Sequence, residues 1–225
     1  MRCTEPVRAS EYEKAFPCGK CSACLLNKRR AKTARILLES TTNDKSLWIT
    51  LTYNEDSLPE NGTLKPEDAR RFIAKVRKAY KPKRIRFYLC GEYGGETQRP
   101  HYHVVLFGIS VVHSGLVTWN HYQKYLRFKN GYYAQQYDPG VWKFMALWNK
   151  GNIHFDKVTQ YSAFYSCSHI TKNATVVGKH PEYHAQSQGL GKDALDVITS
   201  WHSTEEAQRL FEEKGDIPHV FRLNN

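Results

Sequence analysis

Residues 85–107 read IRFYLCGEYGGETQRPHYHVVLF, and this stretch decides the fold. Two runs rich in aromatic and apolar residues, 85–92 and 101–107, flank eight residues that include Gly94, Gly95 and Pro100. Strand-forming runs joined by turn chemistry predict a loose antiparallel hairpin. Side chains two apart on a strand share a face. His101 and His103 therefore stand side by side, while Tyr102 turns to the other face with Val104 and Leu106. On the first strand Arg86, Tyr88, Cys90 and Glu92 share a face, and Glu92 lies at the end next to the turn leading to His101. Two neutral imidazoles on one rigid strand can chelate a divalent ion. If the faces match, the Glu92 carboxylate completes a two-histidine, one-carboxylate set that leaves positions open for water and a phosphate oxygen. Manganese, magnesium or a similar ion suits such donors. The competing reading of a short H-x-H is a pair of satisfied or exposed histidines.

Outward from the hairpin, residues 47–53 (LWITLTY) predict another strand. Residues 66–80 predict a helix: Pro66 suits its first position, Glu67 and Asp68 its positive end, and Arg77 and Lys78 its negative end. Its apolar stripe is Ala69, Phe72, Ile73, Val76 and Tyr80. Residues 152–158 (NIHFDKV) predict a fourth strand, after which Thr159 caps a helix running to about Lys172. Residues 25–39 read as a helix with Ala31, Ala34 and Leu38 on one stripe. Residues 109–147 fit no simple period and read as an insertion. Residues 173–202 read as loop-rich and 204–214 as a final short helix. The order strand–helix–strand–strand–strand–helix implies an α+β fold, a central antiparallel sheet with helices packed on one face. The expected organisation is a cysteine-bearing segment with a basic helix (1–45), a core (46–172), and a C-terminal segment (173–225) of the same domain.

The second chemical signal is QYSAFYSCSHITK, residues 160–172. On a helix the spacing of Tyr161 and Tyr165 puts both rings on one face, with Cβ atoms roughly 5–6 Å apart. Tyrosine can act as a covalent nucleophile. Its ordinary pKa of about 10 makes it a poor one at neutral pH unless a metal polarises the phosphate it attacks. The competing reading is an aromatic core stripe, although Phe164 and Ile170 are available for packing instead.

Six cysteines are present, and Cys18, Cys21 and Cys24 form C-x-x-C-x-x-C. With Cys3 they can make a structural zinc site, or they can line a helix start as small apolar groups. The chain of 225 residues carries 33 Lys plus Arg against 22 Asp plus Glu, a formal charge of +11, which favours a polyanionic partner. Lys28, Arg29, Arg30, Lys32 and Arg35 crowd the first helix as a backbone-gripping element. Residues 65–86 hold ten basic residues, Arg70 and Arg71 among them, interleaved with Phe72 and Tyr80. That mixture suits single-stranded nucleic acid, where charge tracks phosphates and rings stack on bases. A solvated helix face is the competing reading. No apolar stretch approaches bilayer length, the N-terminal residues lack an apolar signal core, and no phosphate loop of the G-x-x-x-x-G-K-[ST] type occurs. A cytoplasmic protein with no membrane and no nucleotide partner is expected.

The segments WITLTY, GEYGGETQRPHYHVVLFG and Tyr161-x-x-x-Tyr165 occur in that order. This set resembles the HUH endonucleases, and most closely the replication initiators of gokushovirus-like microviruses, small single-stranded DNA phages. CGKCSACLLNKRRAKTARI and LWNKGNIHFDKVTQYSAFY extend the resemblance, which covers roughly residues 17–172. It implies a central antiparallel sheet (an HUH/RRM-like endonuclease fold) and metal ligands at His101, His103 and Glu92. It also implies paired nucleophiles at Tyr161 and Tyr165. The implied activity is rolling-circle initiation by a nicking and joining enzyme with a 5′-phosphotyrosine intermediate, acting with host replication machinery in the bacterial cytoplasm. The family often places lysine three residues after each tyrosine. Phe164 and Ser168 occupy those positions here, and Lys172, seven after Tyr165, is the substitute on the same face. A relaxase or transposase of the same superfamily, or a non-catalytic zinc-containing DNA-binding protein, are the alternatives.

The charge alone generates a measurable expectation. If about five phosphates of a single strand are contacted, log K should fall with log salt at a slope of roughly −3.5 in a filter-binding titration. A flat profile would mean that the basic residues are merely solvated.

Overall fold

The computed structural model describes residues 2–8, 15–128, 135–171, 178–202, 204, 205 and 209. In chain order the strands are β1 (Val7–Arg8), β2 (Ala15–Phe16), β3 (Ser46–Thr52), β4 (Arg86–Tyr93), β5 (Pro100–Phe107), β6 (Gly115–Val117), β7 (Ile153–Asp156) and β8 (Tyr183–Gln186). The α-helices are α1 (Ser22–Thr41), α2 (Pro66–Ala79), α3 (Trp119–Arg127), α4 (Pro139–Trp148), α5 (Gln160–Ser166) and α6 (Lys192–His202). Six strands form one sheet in the order β6-β7-β3-β5-β4-β8. Every neighbouring pair in it is antiparallel. The hairpin β4–β5 lies near its middle, and β1 pairs with β2 in a separate ribbon.

Both faces of the sheet are covered, where the sequence predicts helices on one. Leu51, Leu89, Tyr102, Val104, Leu106 and Phe155 pack against Phe72 and Val76 of α2 and Phe144 and Trp148 of α4. On the other face Tyr88, Cys90, Val105 and Phe107 pack with Ile36 of α1, Ala163 of α5 and Leu190. The reason is visible in β4 and β5, where most residues of both strands are buried rather than every second one. A strand covered on both sides reads as a continuous apolar run.

The segment 109–147 carries regular structure that its irregular pattern hides. β6 extends the sheet beside β7, and α4 buries Val141, Trp142, Phe144, Met145 and Trp148. A helix that is apolar nearly all round has no clean stripe to read. Trp148 closes the link by donating its indole N–H to the Thr52 carbonyl at 3.0 Å. The 173–202 segment is a second correction: it contains β8, which pairs with β4, and α6. Four half-buried residues are too few for alternation to show. The expected 204–214 helix lies almost wholly outside the described residues. The first helix is longer than expected, and α5 is shorter, ending at Ser166 before a 3-10 turn (Ser168–Ile170).

Behind the His-Tyr-His run, Tyr102 is fully buried. Its hydroxyl accepts from the Lys65 N–H at 2.9 Å and lies 2.9 Å from the Tyr53 hydroxyl. Tyr53 in turn donates to Asp68 Oδ2 at 3.0 Å. Burial pushes the Tyr102 phenol up to about 12, so it stays protonated. The network ties β3, β5 and the start of α2 together on the face opposite the histidines. Tyr102→Phe should therefore cost ~1–2 kcal/mol in urea unfolding, because it strands polar partners that lose a hydrogen bond. An unchanged midpoint and slope would show that the network does not hold the strand.

Candidate functional site

Register brings the expected ligands together. Glu92 of β4 lies opposite His101 of β5, and Cys90 opposite His103. Glu92 Oε1 is 2.8 Å from His103 Nε2 and 3.6 Å from His101 Nε2. The three candidate ligand atoms all lie within 4.8 Å of one another. Glu92 is 1% exposed and His103 3%, while His101 is half-buried at the mouth. The site is thus open on one side only.

The outer ring nitrogens are already committed. His101 Nδ1 is 3.2 Å from the Arg99 carbonyl, which can only accept, so that nitrogen carries the proton and Nε2 presents its lone pair. His103 Nδ1 is 2.8 Å from the Thr50 hydroxyl. Partners of this kind fix the tautomer and ring orientation of metal-binding histidines. Trp48 stacks on His103 at 5.4 Å and 11°. Two imidazoles and a carboxylate with inward nitrogens fit a divalent cation. Thr50 and Trp48 were not singled out from the sequence. Their signal was the period-2 face of WITLTY, which aligns them with the histidines once β3 pairs with β5.

The tyrosine helix sits over this cluster. Thr159 caps α5 in a reciprocal box with Ser162. The Tyr165 ring meets His103 edge-on at 5.1 Å. Tyr161 stacks on Tyr165 at 6.3 Å, one turn away. They are 78% (Tyr161) and 39% (Tyr165) exposed, so neither is part of a core stripe. The buried face of α5 is Ser162, Ala163 and Ser166 instead. Ser166 Oγ accepts from the Trp48 indole at 2.8 Å, which fastens α5 to the strand beside His103. Lys172 lies outside the described residues.

The basic residues of α1 divide into two groups. Arg29 stacks its guanidinium 3.6 Å above the Phe164 ring, and donates to the Phe164 carbonyl at 3.1 and 3.3 Å and to Thr171 Oγ1 at 3.3 Å. Lys32 donates to Gln186 Oε1 at 2.9 Å and Arg35 to the Leu190 carbonyl at 3.4 Å. Lys28 and Arg30 are exposed. Arg70 and Arg71 belong to α2, on the sheet face opposite the triad, and lie within 4 Å of Glu67 and Asp68. Cys3, Cys18, Cys21 and Cys24 form a second cluster, with all four sulfurs within 4.8 Å of one another.

Comparison with known proteins places the chain. The family model described as replication-associated protein ORF2/gene-2 protein matches residues 46–174. The replication-associated protein VP4 of Bdellovibrio phage phiMH2K is 33% identical over 165 residues, 70% of this chain and 48% of the relative. The replication-associated protein ORF2 of Spiroplasma virus 4 is 29% identical over 190 residues, 79% of this chain and 56% of the relative. The replication-associated protein ORF4 of Chlamydia phage 1 is 25% identical over 197 residues, 83% of this chain and 47% of the relative. The chain spans about half the length of these relatives. No solved structure is significantly similar. Among the described residues no helix is long and apolar enough to cross a membrane.

The outer contacts of the histidines make a specific prediction. Thr50→Val keeps the shape of the side chain and removes the hydroxyl beside His103 Nδ1. It should weaken manganese binding about tenfold in an isothermal titration. Unchanged affinity would mean that His103 needs no orienting partner.

Proposed function

The chain belongs to the family of replication-associated proteins typified by ORF2, and on that premise we propose that it starts rolling-circle replication of a small phage genome. It does so by cutting and rejoining single-stranded DNA through an active-site tyrosine. The observation that carries this reading is the Tyr165 ring standing against His103, one of three donors that converge beneath it.

Glu92, His101 and His103 would hold manganese or magnesium, which supplies Lewis acidity toward the scissile phosphate. The chain's own residues account for the rest. Tyr165 loses its phenolic proton to solvent and forms a bond to phosphorus. The bond from phosphorus to the 3′ oxygen breaks, and that oxygen takes up a proton. The product is a 5′-phosphotyrosine and a free 3′-OH, which host replication enzymes in the bacterial cytoplasm extend. After a round of synthesis Tyr161, one turn away, cuts the regenerated junction. The 3′-OH released there attacks the first phosphotyrosine, frees that tyrosine and closes a circle. Each step exchanges one phosphodiester for another, so no nucleotide energy source is consumed. Lys172 takes the place of the family's lysine in this scheme, and exposed Lys28 and Arg30 on α1, which packs beside α5, grip the strand. The four cysteines hold a structural zinc ion.

The test is a denaturing gel of a short origin oligonucleotide incubated with the protein and manganese. Each of Tyr161→Phe and Tyr165→Phe should leave some covalent adduct, with Tyr165→Phe losing about tenfold or more in rate. Circle closure should suffer more than nicking in both, since it needs a second nucleophile. The double change should leave no adduct while folding and metal binding persist. An adduct in the double variant would sink the assignment, as would full cleavage in excess chelator.

A further inference from the structure

The triad leaves a second set of ligands unused. Cys3 comes from one segment and Cys18, Cys21 and Cys24 from another, beyond the β1–β2 ribbon, yet their sulfurs converge. Cys3 Sγ is 3.9 Å from Cys21 Sγ, and Cys18 Sγ is 4.0 Å from Cys24 Sγ. Four sulfurs each about 2.3 Å from a tetrahedral ion lie roughly 3.8 Å apart. The spacing is far longer than the roughly 2.05 Å of a disulfide, and none of the four is disulfide-bonded. Backbone N–H groups also point at the sulfurs, from Cys18 to Cys3 at 3.3 Å and from Cys21 to Cys18 at 3.3 Å. Such donors stabilise sulfur that carries negative charge. A purely apolar lining would be buried, whereas Cys3, Cys18 and Cys21 are only half-buried.

The cluster sits where it can act at a distance. Cys21 is the N-cap of α1 and Cys24 lies in its first turn. Farther along the same helix, Arg29 holds the carbonyl of Phe164 on α5. At the far end of α1, buried Glu39 pairs with Arg86 of β4 at 2.9 Å. α5 has only seven residues. Helices far shorter than ~12 residues do not persist alone, so its position comes from what grips it.

We infer that Cys3, Cys18, Cys21 and Cys24 bind one zinc ion, distinct from the metal of the triad, and that this ion fixes the start of α1 so that Arg29 holds the tyrosine helix over His103. Arg29 is then a positioning residue that acts through the Phe164 carbonyl, not a contact to DNA phosphate. The zinc site stands independently of the nicking reading; the positioning role rests on it only where catalysis is measured.

The experiment uses the full chain. After dialysis against EDTA it should retain one zinc by elemental analysis, and His101→Ala/His103→Ala should retain it too. Cys18→Ser/Cys21→Ser should hold none. Should that variant fail to fold, anaerobic exchange of the wild-type zinc for cobalt(II) gives a second reading, as thiolate-to-cobalt charge-transfer absorption with tetrahedral bands. Absence of both retained zinc and thiolate–cobalt absorption overturns the site. For the positioning role, hydrogen exchange of the 160–166 amides should rise about tenfold in Arg29→Gln and in the zinc-stripped chain, with β3 and β5 unchanged. Adduct formation at saturating oligonucleotide should slow about tenfold while the DNA Kd stays within about twofold. Unchanged exchange of those amides overturns the role. So does a weakened Kd with an unchanged saturated rate, which would make Arg29 a DNA contact.

Discussion

The register of β4 against β5 is the constraint on which the site depends. A slip of one residue would turn every side chain to the other face. Glu92 would then leave the histidines and enter the apolar layer against α2. Two features hold the register. Tyr102, between the two ligand histidines, is anchored by Lys65 and Tyr53 on the opposite face. Gly91 lies directly across from Tyr102, and a Cβ there would come within 2.7 Å of the Tyr183 ring. The hairpin can therefore close tightly only in the pairing that sets Glu92 beside His101.

That pairing concentrates polar groups in a nearly dry place. A carboxylate 1% exposed between two imidazoles is costly unless its charge is met by partners. The same requirement is satisfied elsewhere on this face by Glu39, which is paired with Arg86 and accepts from Gly191 N at 2.7 Å. At the triad the histidine nitrogens facing Glu92 are those left over when Arg99 and Thr50 take the other two. The geometry arranges donors toward one point, and the only open side is the one beneath Tyr165. The reactive ring is held there by its neighbours: Trp48 through Ser166, and Arg29 through Phe164.

Much of this was legible in the sequence because it follows short periods. Period two put His101 and His103 on one face and Tyr102 on the other. Period four put Tyr161 and Tyr165 on one side of a helix. C-x-x-C-x-x-C with Cys3 marked the second cluster. What escaped reading depends on contacts between distant segments. Arg29, Lys32 and Arg35 look like a DNA-gripping row on α1, yet they bind Phe164, Gln186 and Leu190, all more than 130 positions away. α4 escaped because a helix buried all round has no polar stripe, and the second covered face escaped because β4 and β5 are buried on both sides. Arg70 and Arg71 have the composition of a nucleic-acid groove, but α2 carries them to the sheet face opposite the triad.

The central claim is that a tyrosine of α5 is the atom source for a covalent link to DNA beside the triad. Incubation of the full chain with circular single-stranded phage DNA and manganese, then nuclease and protease digestion and mass spectrometry, reads it directly. The account predicts a nucleotide joined through its 5′ phosphate to Tyr161 or Tyr165 within the peptide spanning 160–172. A nucleotide joined to any other residue, or intact DNA with no linked peptide while manganese is bound at the triad, would contradict it.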